Sequence, residues 1–288
     1  MRSCLSGGAP TLLIARIPTF RHHGNIMSVV PVNDLTVRYE QSGFGTPLLL
    51  IHGHPFDCTM WRPQLAAGLD GHLIGPDLRN FGRTISSNGP ASWSTYAEDL
   101  IAFADTLGIQ RFAVAGLSMG GQIALEIAAL APGRLLGLVL CDTFAPVDSP
   151  EKRAGRLALA DRLEREGMEP YANEVLSKMV CDHTIDTKPG ITHELFEMMK
   201  RAPVRGAAEA LRARVQRRDY VNLLPTITAP TLIVVGEFDQ FTPVTDAELM
   251  HDAIPGSTLV VIPEAGHVTN LEQPEAFNQA LGQFFLRL

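Results

Sequence analysis

Residues 111–130 have the sequence RFAVAGLSMGGQIALEIAAL, in which a short apolar run, a glycine-rich turn and an apolar helical pattern follow one another. A strand is predicted over residues 111–115, and a helix follows the turn. The turn contains the pattern Gly-x-Ser-x-Gly with Ser118 at its centre. This pattern between a strand and a helix is typical of a nucleophile elbow, a strained turn that lifts a serine hydroxyl above the edge of a sheet. An incidental serine in a glycine-rich turn is the alternative interpretation.

The flanking sequence repeats this alternation of strand-length apolar runs and helical patterns. Apolar runs without a polar face are typical of parallel strands that are covered on both sides. The alternation predicts an α/β fold with a mostly parallel central sheet flanked by helices. Besides residues 111–115, the predicted strands are residues 35–40, 48–51, 72–75, 135–140, 232–235 and 258–262. The predicted helices are residues 93–107, 119–130, 245–253 and 274–288.

Residues 149–218 interrupt this rhythm, because they contain no strand-like run and are rich in Ala, Leu, Glu and Arg. Their helical spacing predicts a helical cap inserted after strand 6, the strand that ends near Cys141. Such an insertion lies over the carboxyl edge of the sheet, where parallel sheets bind ligands. The core is predicted to comprise residues 28–148 and 219–288. Residues 1–27 are expected to be a disordered or poorly ordered extension, since their apolar stretch is too short for a secretory signal.

The composition argues against several classes of function. The 288 residues include 24 Lys and Arg against 31 Asp and Glu, a net charge of −7, whereas nucleic-acid binders usually show a basic balance. No apolar run approaches the ~18 residues that a membrane helix needs. The cysteines form no Cys-x-x-Cys pair, so we expect no zinc site or other metal site, no redox dithiol and a reducing, cytoplasmic setting. They are Cys4, Cys58, Cys141 and Cys181.

A serine hydroxyl is a weak nucleophile until a histidine takes its proton and an acid holds that histidine in the correct tautomer. With the chain order serine, acid, histidine, both partners should follow late strands. Of the nine histidines, only His267 does so. Asp239, in the loop after the next-to-last predicted strand, is the favoured acid. Asp142 and Glu237 stay open as alternatives, because each of them also follows a predicted strand.

Acyl transfer needs hydrogen-bond donors that are aimed at the oxyanion of its transition state. The backbone N–H of Met119, directly after the nucleophile, is one expected donor. The second donor should come from the loop at residues 52–57, where the N–H of His54 is the natural choice because Pro55 has none. The His52 side chain is expected to pack under this loop rather than to act in catalysis.

Further residues are predicted to shape the pocket. In the loop at residues 76–83, Arg79 and Asp77 are expected to brace the loop, with direct substrate contact by Arg79 as the alternative. The predicted substrate-binding residues are Phe56, Phe144, Phe238 and Val268. Five cap residues either form an adaptable apolar roof or pack the cap helices together: Met168, Met179, Phe196, Met198 and Met199. The cap arginines are expected to lie on solvated helix faces, with receipt of a substrate carboxylate by one of them as the alternative; examples are Arg153, Arg156, Arg212 and Arg214.

Taken together, residues 29–288 resemble the α/β-hydrolase superfamily, and within it the branch of 3-oxoadipate enol-lactonase-like enzymes, small esterases and cofactor-free haloperoxidases. Asn80 stands where many members have glycine, and His54 stands where several have an aromatic residue. The resemblance rests on the order and spacing of His52-Gly53-x-Pro55, Trp61, Pro76-Asp77-Leu78-Arg79 with Phe81-Gly82, Gly116 to Gly121, Gly236-x-x-Asp239 and Gly266-His267.

The resemblance implies an α/β-hydrolase fold with Ser118 as the nucleophile, Asp239 as the acid, His267 as the base, and His54 and Met119 as the oxyanion donors. It implies cleavage of a small-molecule ester or lactone through an acyl-enzyme, without a cofactor and with perhydrolysis as a side activity. One alternative is a C–C bond hydrolase that acts on a vinylogous diketone, and others are a pathway-specific cyclase and a ligand receptor. No nucleic-acid or membrane partner is expected, and the oligomeric state stays open, with a homodimer as one option.

Overall fold

The computed structural model describes residues 26–87 and 89–288, so the predicted N-terminal extension lies outside the described residues except at its last two positions. Strand β1 (Ile26–Val32) begins before the predicted start of the core at residue 28. It pairs antiparallel with β2 (Leu35–Ser42) along its whole length. The strand starts two residues before that boundary, because pairing with the next strand, and not a local apolar pattern, defines where β1 begins.

The central sheet has the predicted α/β character. The remaining strands are β3 (Pro47–Ile51), β4 (His72–Pro76), β5 (Ile85–Ser86), β6 (Phe112–Leu117), β7 (Leu135–Cys141), β8 (Thr231–Gly236) and β9 (Thr258–Ile262). Their order along the sheet is β1-β2-β4-β3-β6-β7-β8-β9, and β5 pairs with β2. All pairings from β4 through β3 to β9 are parallel, whereas the three pairings of β2 are antiparallel. The prediction of a mostly parallel sheet is confirmed, although β1 and β5 were not foreseen.

Helices cover both faces of the sheet and build the insertion. Those of the core are α1 (Arg62–Ala66), α2 (Trp93–Thr106), α3 (Met119–Leu130), α9 (Val244–Ala253), α10 (Thr269–Glu272) and α11 (Pro274–Phe285). Those of the cap are α4 (Pro150–Glu166), α5 (Met168–Met179), α6 (Asp182–Thr187), α7 (Pro189–Lys200) and α8 (Val204–Arg214). The insertion follows β7, which is the sixth strand if the two-residue β5 is left out. No helix in residues 26–87 or 89–288 combines the length and apolar character that a membrane span requires.

The middle of the sheet is the centre of the hydrophobic core. Every residue of β6 and of β8 is buried, and the last four residues of β3, Leu48 to Ile51, have no measurable exposure. Parallel strands covered on both faces leave no polar side, which explains their continuous apolar sequence. Their carboxyl ends all meet at one edge of the sheet. The loops after β3, β6, β8 and β9 are thereby brought together beneath the cap.

The cap is held to the core by buried polar contacts. Glu272 is fully buried, and its carboxylate accepts hydrogen bonds from the N–H of Cys181 at 2.8 Å and from the N–H of Gly266 at 2.7 Å. Asn80 has φ 60°, a left-handed conformation that asparagine tolerates and glycine adopts freely. Its amide donates to Glu209 of α8 at 2.8 Å. The cap therefore packs on the core at fixed points around the loop edge.

Arg79 braces the loop after β4, as predicted, but its partners are not the predicted Asp77. The guanidinium makes bidentate contacts to Asp99 at 2.8 Å and to Asp34 at 2.8 and 3.0 Å. Asp77 instead accepts from the N–H groups of Cys58 and Arg83. The Arg79 side chain is only 5% exposed, so two carboxylates compensate one buried cation.

Replacing Arg79 with alanine is expected to lower the free energy of unfolding by about 3 to 5 kcal/mol, because it leaves two largely buried carboxylates without a cation. Lys200→Ala is the control, since Lys200 forms an exposed pair with Glu169, and its cost should stay within about 1 kcal/mol. Urea unfolding followed by circular dichroism measures both. Equal losses for the two variants would contradict the proposed role of the Arg79 brace.

Candidate active site

Ser118 lies in a strained turn between β6 and α3. Its φ of 55° and ψ of −111° place a non-glycine residue in a region that side chains disfavour. A Cβ at Gly116 would lie 2.1 Å from the carbonyl oxygen of Gly120, and a Cβ at Gly120 would lie 2.3 Å from that of Ile51. Only glycine fits at either position. The turn thus has the geometry that the Gly-x-Ser-x-Gly pattern predicts.

His267 follows β9, and its ring is hydrogen-bonded to the predicted acid. The Nδ1 of His267 lies 2.8 Å from Oδ2 of Asp239, and both side chains are almost completely buried. Thr242 donates to the same carboxylate through its hydroxyl and its N–H. Burial alone would raise the pKa of Asp239, but the His267 ring and these hydrogen bonds bring it below its ordinary value. Asp239 therefore stays ionised and holds the imidazole by Nδ1.

Ser118 and His267 line the same cavity, at its core side. Among the described residues no hydrogen bond joins the Ser118 hydroxyl to the ring, and Nε2 of His267 has no hydrogen-bond partner. Such contacts often tighten only when a substrate is bound. The ring of Phe241 packs against His267 with the centroids 5.0 Å apart. Two of the three predicted catalytic side chains, Ser118 and His267, thus line the cavity, and the third, Asp239, is hydrogen-bonded to His267.

The two predicted oxyanion donors come from different parts of the core, the start of α3 and the loop after β3. Met119 is the first residue of α3, where a backbone N–H has no acceptor inside the helix and the helix dipole is positive. His54, in the loop after β3, lines the same cavity. Its ring donates from Nε2 to the carbonyl oxygen of Ala207 in α8 at 3.1 Å, and burial lowers the pKa of His54 to about 3. The His54 side chain is therefore a neutral link between core and cap.

His52 has the structural role that the sequence predicts. Its Nδ1 donates to the carbonyl oxygen of Gly53 at 2.9 Å, and its Nε2 accepts from the N–H of Leu78 at 3.0 Å. Both ring nitrogens are thereby used, and the fully buried ring joins the loop after β3 to the loop after β4.

The two alternative acids do not contact His267. Asp142 is fully buried and accepts from the N–H of Gly236 at 3.0 Å and from the hydroxyl of Thr269 at 2.6 Å. Burial, and next to it the charge of Asp239, raises the pKa of Asp142 well above its ordinary value. Glu237 is exposed and accepts from the N–H of Glu264 at 3.3 Å. Asp239 is the acid that the structure brings to the histidine.

The cavity lies between the loop edge of the core and the cap, with a volume of about 560 Å³, which is in the usual range for small-molecule sites. Of the four predicted substrate-binding residues, Phe144 lines it. The other three predictions are not supported: Phe56 and Val268 are buried away from the cavity, and Phe238 is 54% exposed outside it. Phe241, two residues after Asp239 in the same loop, packs against His267 and lines the cavity in the place expected of Phe238.

Fewer of the named cap residues line the cavity than the sequence suggested. Met179 lines the cavity, whereas Met168 and Met199 are buried in the hydrophobic core and Met198 lines a separate cavity next to Phe56. Tyr171 and Leu211 also line the cavity and were missed, since no local sequence pattern marks which face of a cap helix points inward.

The four cap arginines named from the sequence have different surroundings. Arg156 and Arg214 line the cavity, Arg153 donates to the carbonyl of Val215, and Arg212 pairs with Asp161 and Glu164 at the surface. Nowhere in the described ranges do three His, Cys, Asp or Glu side chains group closely enough to hold a metal ion.

Comparison with known proteins places this geometry in context. The model of the alpha/beta hydrolase family matches residues 48–280. The chain is 28% identical over 251 residues to 3-oxoadipate enol-lactonase 2 of Acinetobacter baylyi, covering 86% of this chain and 92% of that one. A thermophilic esterase from Thermogutta terrifontis with malate bound is 36% identical, with a TM-score of 0.86 over 91% of this chain and 98% of that one. The enol-lactonase from Burkholderia xenovorans LB400 is 26% identical, with a TM-score of 0.83 over 90% of this chain and 100% of that one.

Replacing Asp142 and Asp239 with asparagine is expected to affect turnover very differently. Asp142→Asn should keep turnover within about tenfold, because Asp142 is not hydrogen-bonded to His267, and the asparagine oxygen can still accept from the N–H of Gly236 while its NH2 group donates to the Thr269 hydroxyl. Asp239→Asn should lower kcat by roughly 10⁴-fold, because the histidine loses its anionic partner. Turnover of a p-nitrophenyl ester measures both. A loss at Asp142 as large as that at Asp239 would show that the acid is misassigned.

Proposed function

This chain belongs to the alpha/beta hydrolase family as an enzyme of the esterase and lactonase type, and we propose that it cleaves a carboxylic ester or lactone by serine catalysis. The proposal depends on one observation: a serine on a strained turn shares a cavity with a histidine that is hydrogen-bonded to a buried carboxylate. The enol-lactonase and esterase relatives support the ester or lactone class. No cofactor is needed for this chemistry.

In the proposed first half-reaction, Nε2 of His267 takes the proton from the Ser118 hydroxyl as the oxygen attacks the substrate carbonyl carbon. The carbonyl π electrons move to its oxygen, and the N–H groups of Met119 and His54 stabilise the oxyanion. Asp239 stabilises the imidazolium through Nδ1–H. When the tetrahedral intermediate collapses, the C–O bond to the leaving alkoxide breaks and His267 returns the proton to that oxygen. The acyl group is then on Ser118.

In the second half-reaction, water replaces the alcohol and the same imidazole takes its proton. A second oxyanion forms against the same two N–H groups, and its collapse breaks the bond to Ser118, which regains the proton from His267. For a lactone, the acid and the alcohol leave as one open-chain hydroxy acid. For an ester, they leave separately.

Ser118→Ala is expected to lower kcat on p-nitrophenyl esters on the order of 10⁴- to 10⁶-fold, because it removes the nucleophile but not the oxyanion donors. Ser94→Ala in α2 is the matched control and should leave turnover unchanged. A variant at residue 118 with full esterase activity would overturn the proposal.

Covalent labelling tests the same nucleophile without a natural substrate. An organic phosphofluoridate should lose fluoride to the Ser118 oxygen, and mass spectrometry should find the adduct on the peptide that contains residue 118. Ser118→Ala and His267→Ala should both prevent labelling. Labelling of the wild type together with slow, single turnover on a panel of esters and lactones would favour a receptor or a pathway-specific enzyme instead. Rapid cleavage of diketones in place of esters would favour the C–C hydrolase.

A further inference from the structure

Arg214 is a buried cation that opens into the cavity. It is the last residue of α8, is only 6% exposed, and lines the same cavity as Ser118 and His267. Its Nε donates to Oε1 of Gln122 at 2.6 Å. In the described part of the chain, its two terminal nitrogens have no hydrogen-bond partner. The guanidinium therefore presents its outer edge, with four N–H groups, to the space that a ligand would occupy.

The surrounding charges do not compensate this cation. Asp148 is the nearby carboxylate, and Arg156 occupies both of its oxygens at 2.8 and 3.0 Å. Arg217 is 3% exposed and donates to the backbone carbonyl groups of Ala145 and Pro146 rather than to a carboxylate. Three guanidinium groups thus lie near Asp148, and the one further carboxylate near them in the described residues, Asp219, acts on Arg217. Burial, and next to it the charge of Arg156, lowers the pKa of Arg214 well below its ordinary value.

Arg214 is also held at a defined place relative to the nucleophile. Gln122, its partner, lies one helical turn after Ser118 in α3 and is fully buried. The ring of Phe144 packs against both cations, with its centroid 5.8 Å from the guanidinium carbon of Arg214 and 5.0 Å from that of Arg217. These contacts leave the guanidinium few alternative positions, so an anion bound to it would have a fixed distance from the reacting serine.

The other cations at the cavity are different. Lys152 and Lys178 are exposed, and Arg162 is paired with Glu174 at 2.8 Å. Water compensates exposed ammonium groups, whereas a buried guanidinium without an anion carries a desolvation cost. Arg156, the fifth lysine or arginine at the cavity, is paired with Asp148, so only Arg214 among the five is buried and has no carboxylate partner.

We propose that Arg214 binds a carboxylate group of the substrate, so that the preferred substrate is an ester or lactone with a second, anionic end. This inference rests on the proposed function and names the substrate class of that site. A carboxylate matches the planar fork of a guanidinium and accepts two parallel hydrogen bonds from it. The scissile carbonyl then lies at Ser118 while the carboxylate lies under the cap.

Matched ester pairs test this specificity in the wild-type enzyme. Monomethyl esters of succinate, glutarate, adipate and pimelate are compared with methyl esters of the monocarboxylic acids of the same chain length. At the length that spans Ser118 and Arg214, kcat/KM for the anionic ester should be higher by roughly 10- to 100-fold, the factor expected of a charge-assisted hydrogen bond. Equal kcat/KM within every pair would overturn the proposal.

Arg214→Met should abolish this preference, so that kcat/KM for the anionic ester falls to the value for its neutral partner in the same variant. Arg212→Met is the matched control, because Arg212 is on the same helix but pairs with Asp161 and Glu164 outside the cavity, and it should keep the preference. Retention of the preference in Arg214→Met would contradict the inference. The methionine variant should fold, because it removes a buried charge that has no anion, and the wild-type pairs decide the question if it does not.

Binding separates this inference from the proposed catalysis. In the Ser118→Ala variant, adipate and its homologues should raise the melting temperature at the preferred length, and the neutral diamides should not. The double variant that also carries Arg214→Met should lose this shift. A shift that needs Arg214, found together with unchanged ester turnover in Ser118→Ala, would keep the anion site and remove the serine mechanism. Absence of any shift at every length would overturn the anion site alone.

Discussion

The strained turn at Ser118 is the constraint on which the rest of the site depends. A residue with φ of 55° at the end of a strand persists only if the neighbouring backbone is packed around it. Gly116 and Gly120 allow that packing, since a Cβ at either would lie within 2.3 Å of a carbonyl oxygen. Ile51, which carries one of those carbonyl groups, is the buried last residue of β3 and pairs with Gly116 of β6. The strain in the turn is therefore supported by the most deeply buried part of the sheet.

The cap and the catalytic loops are parts of one polar framework. Glu272 joins the start of α6 to the loop that carries His267, and the neutral ring of His54 joins the loop after β3 to α8. The backbone N–H of His267 itself donates to the carbonyl of Met179 in the cap at 2.9 Å. Because the cap residues that line the cavity are tied to the loops that carry the chemistry, the shape of the cavity and the position of the reacting groups are set together.

The two buried arginines Arg79 and Arg214 differ in whether a carboxylate of the chain compensates their charge. Arg79 has two carboxylates around it and serves the fold, whereas Arg214 has an amide oxygen and an aromatic face but no carboxylate partner. The charge of Arg79 is compensated within the chain. The charge of Arg214 would be compensated only by an anion that enters the cavity, and we therefore assign it to ligand binding rather than to a structural brace.

The sequence by itself determined the parallel sheet, the elbow and the serine and histidine of the proposed triad, because apolar runs, glycine spacing and the order of loops after strands are local patterns. It favoured Asp239 as the acid but left Asp142 and Glu237 open. It did not determine that β1 begins at Ile26, which depends on pairing with β2, or that Phe241 rather than Phe238 reaches His267. The sequence also did not distinguish Arg214 from the other cap arginines, and only the structure shows that its guanidinium is buried at the cavity. These features depend on which way a loop turns and which helix face packs inward, and contacts between residues far apart in the chain decide both.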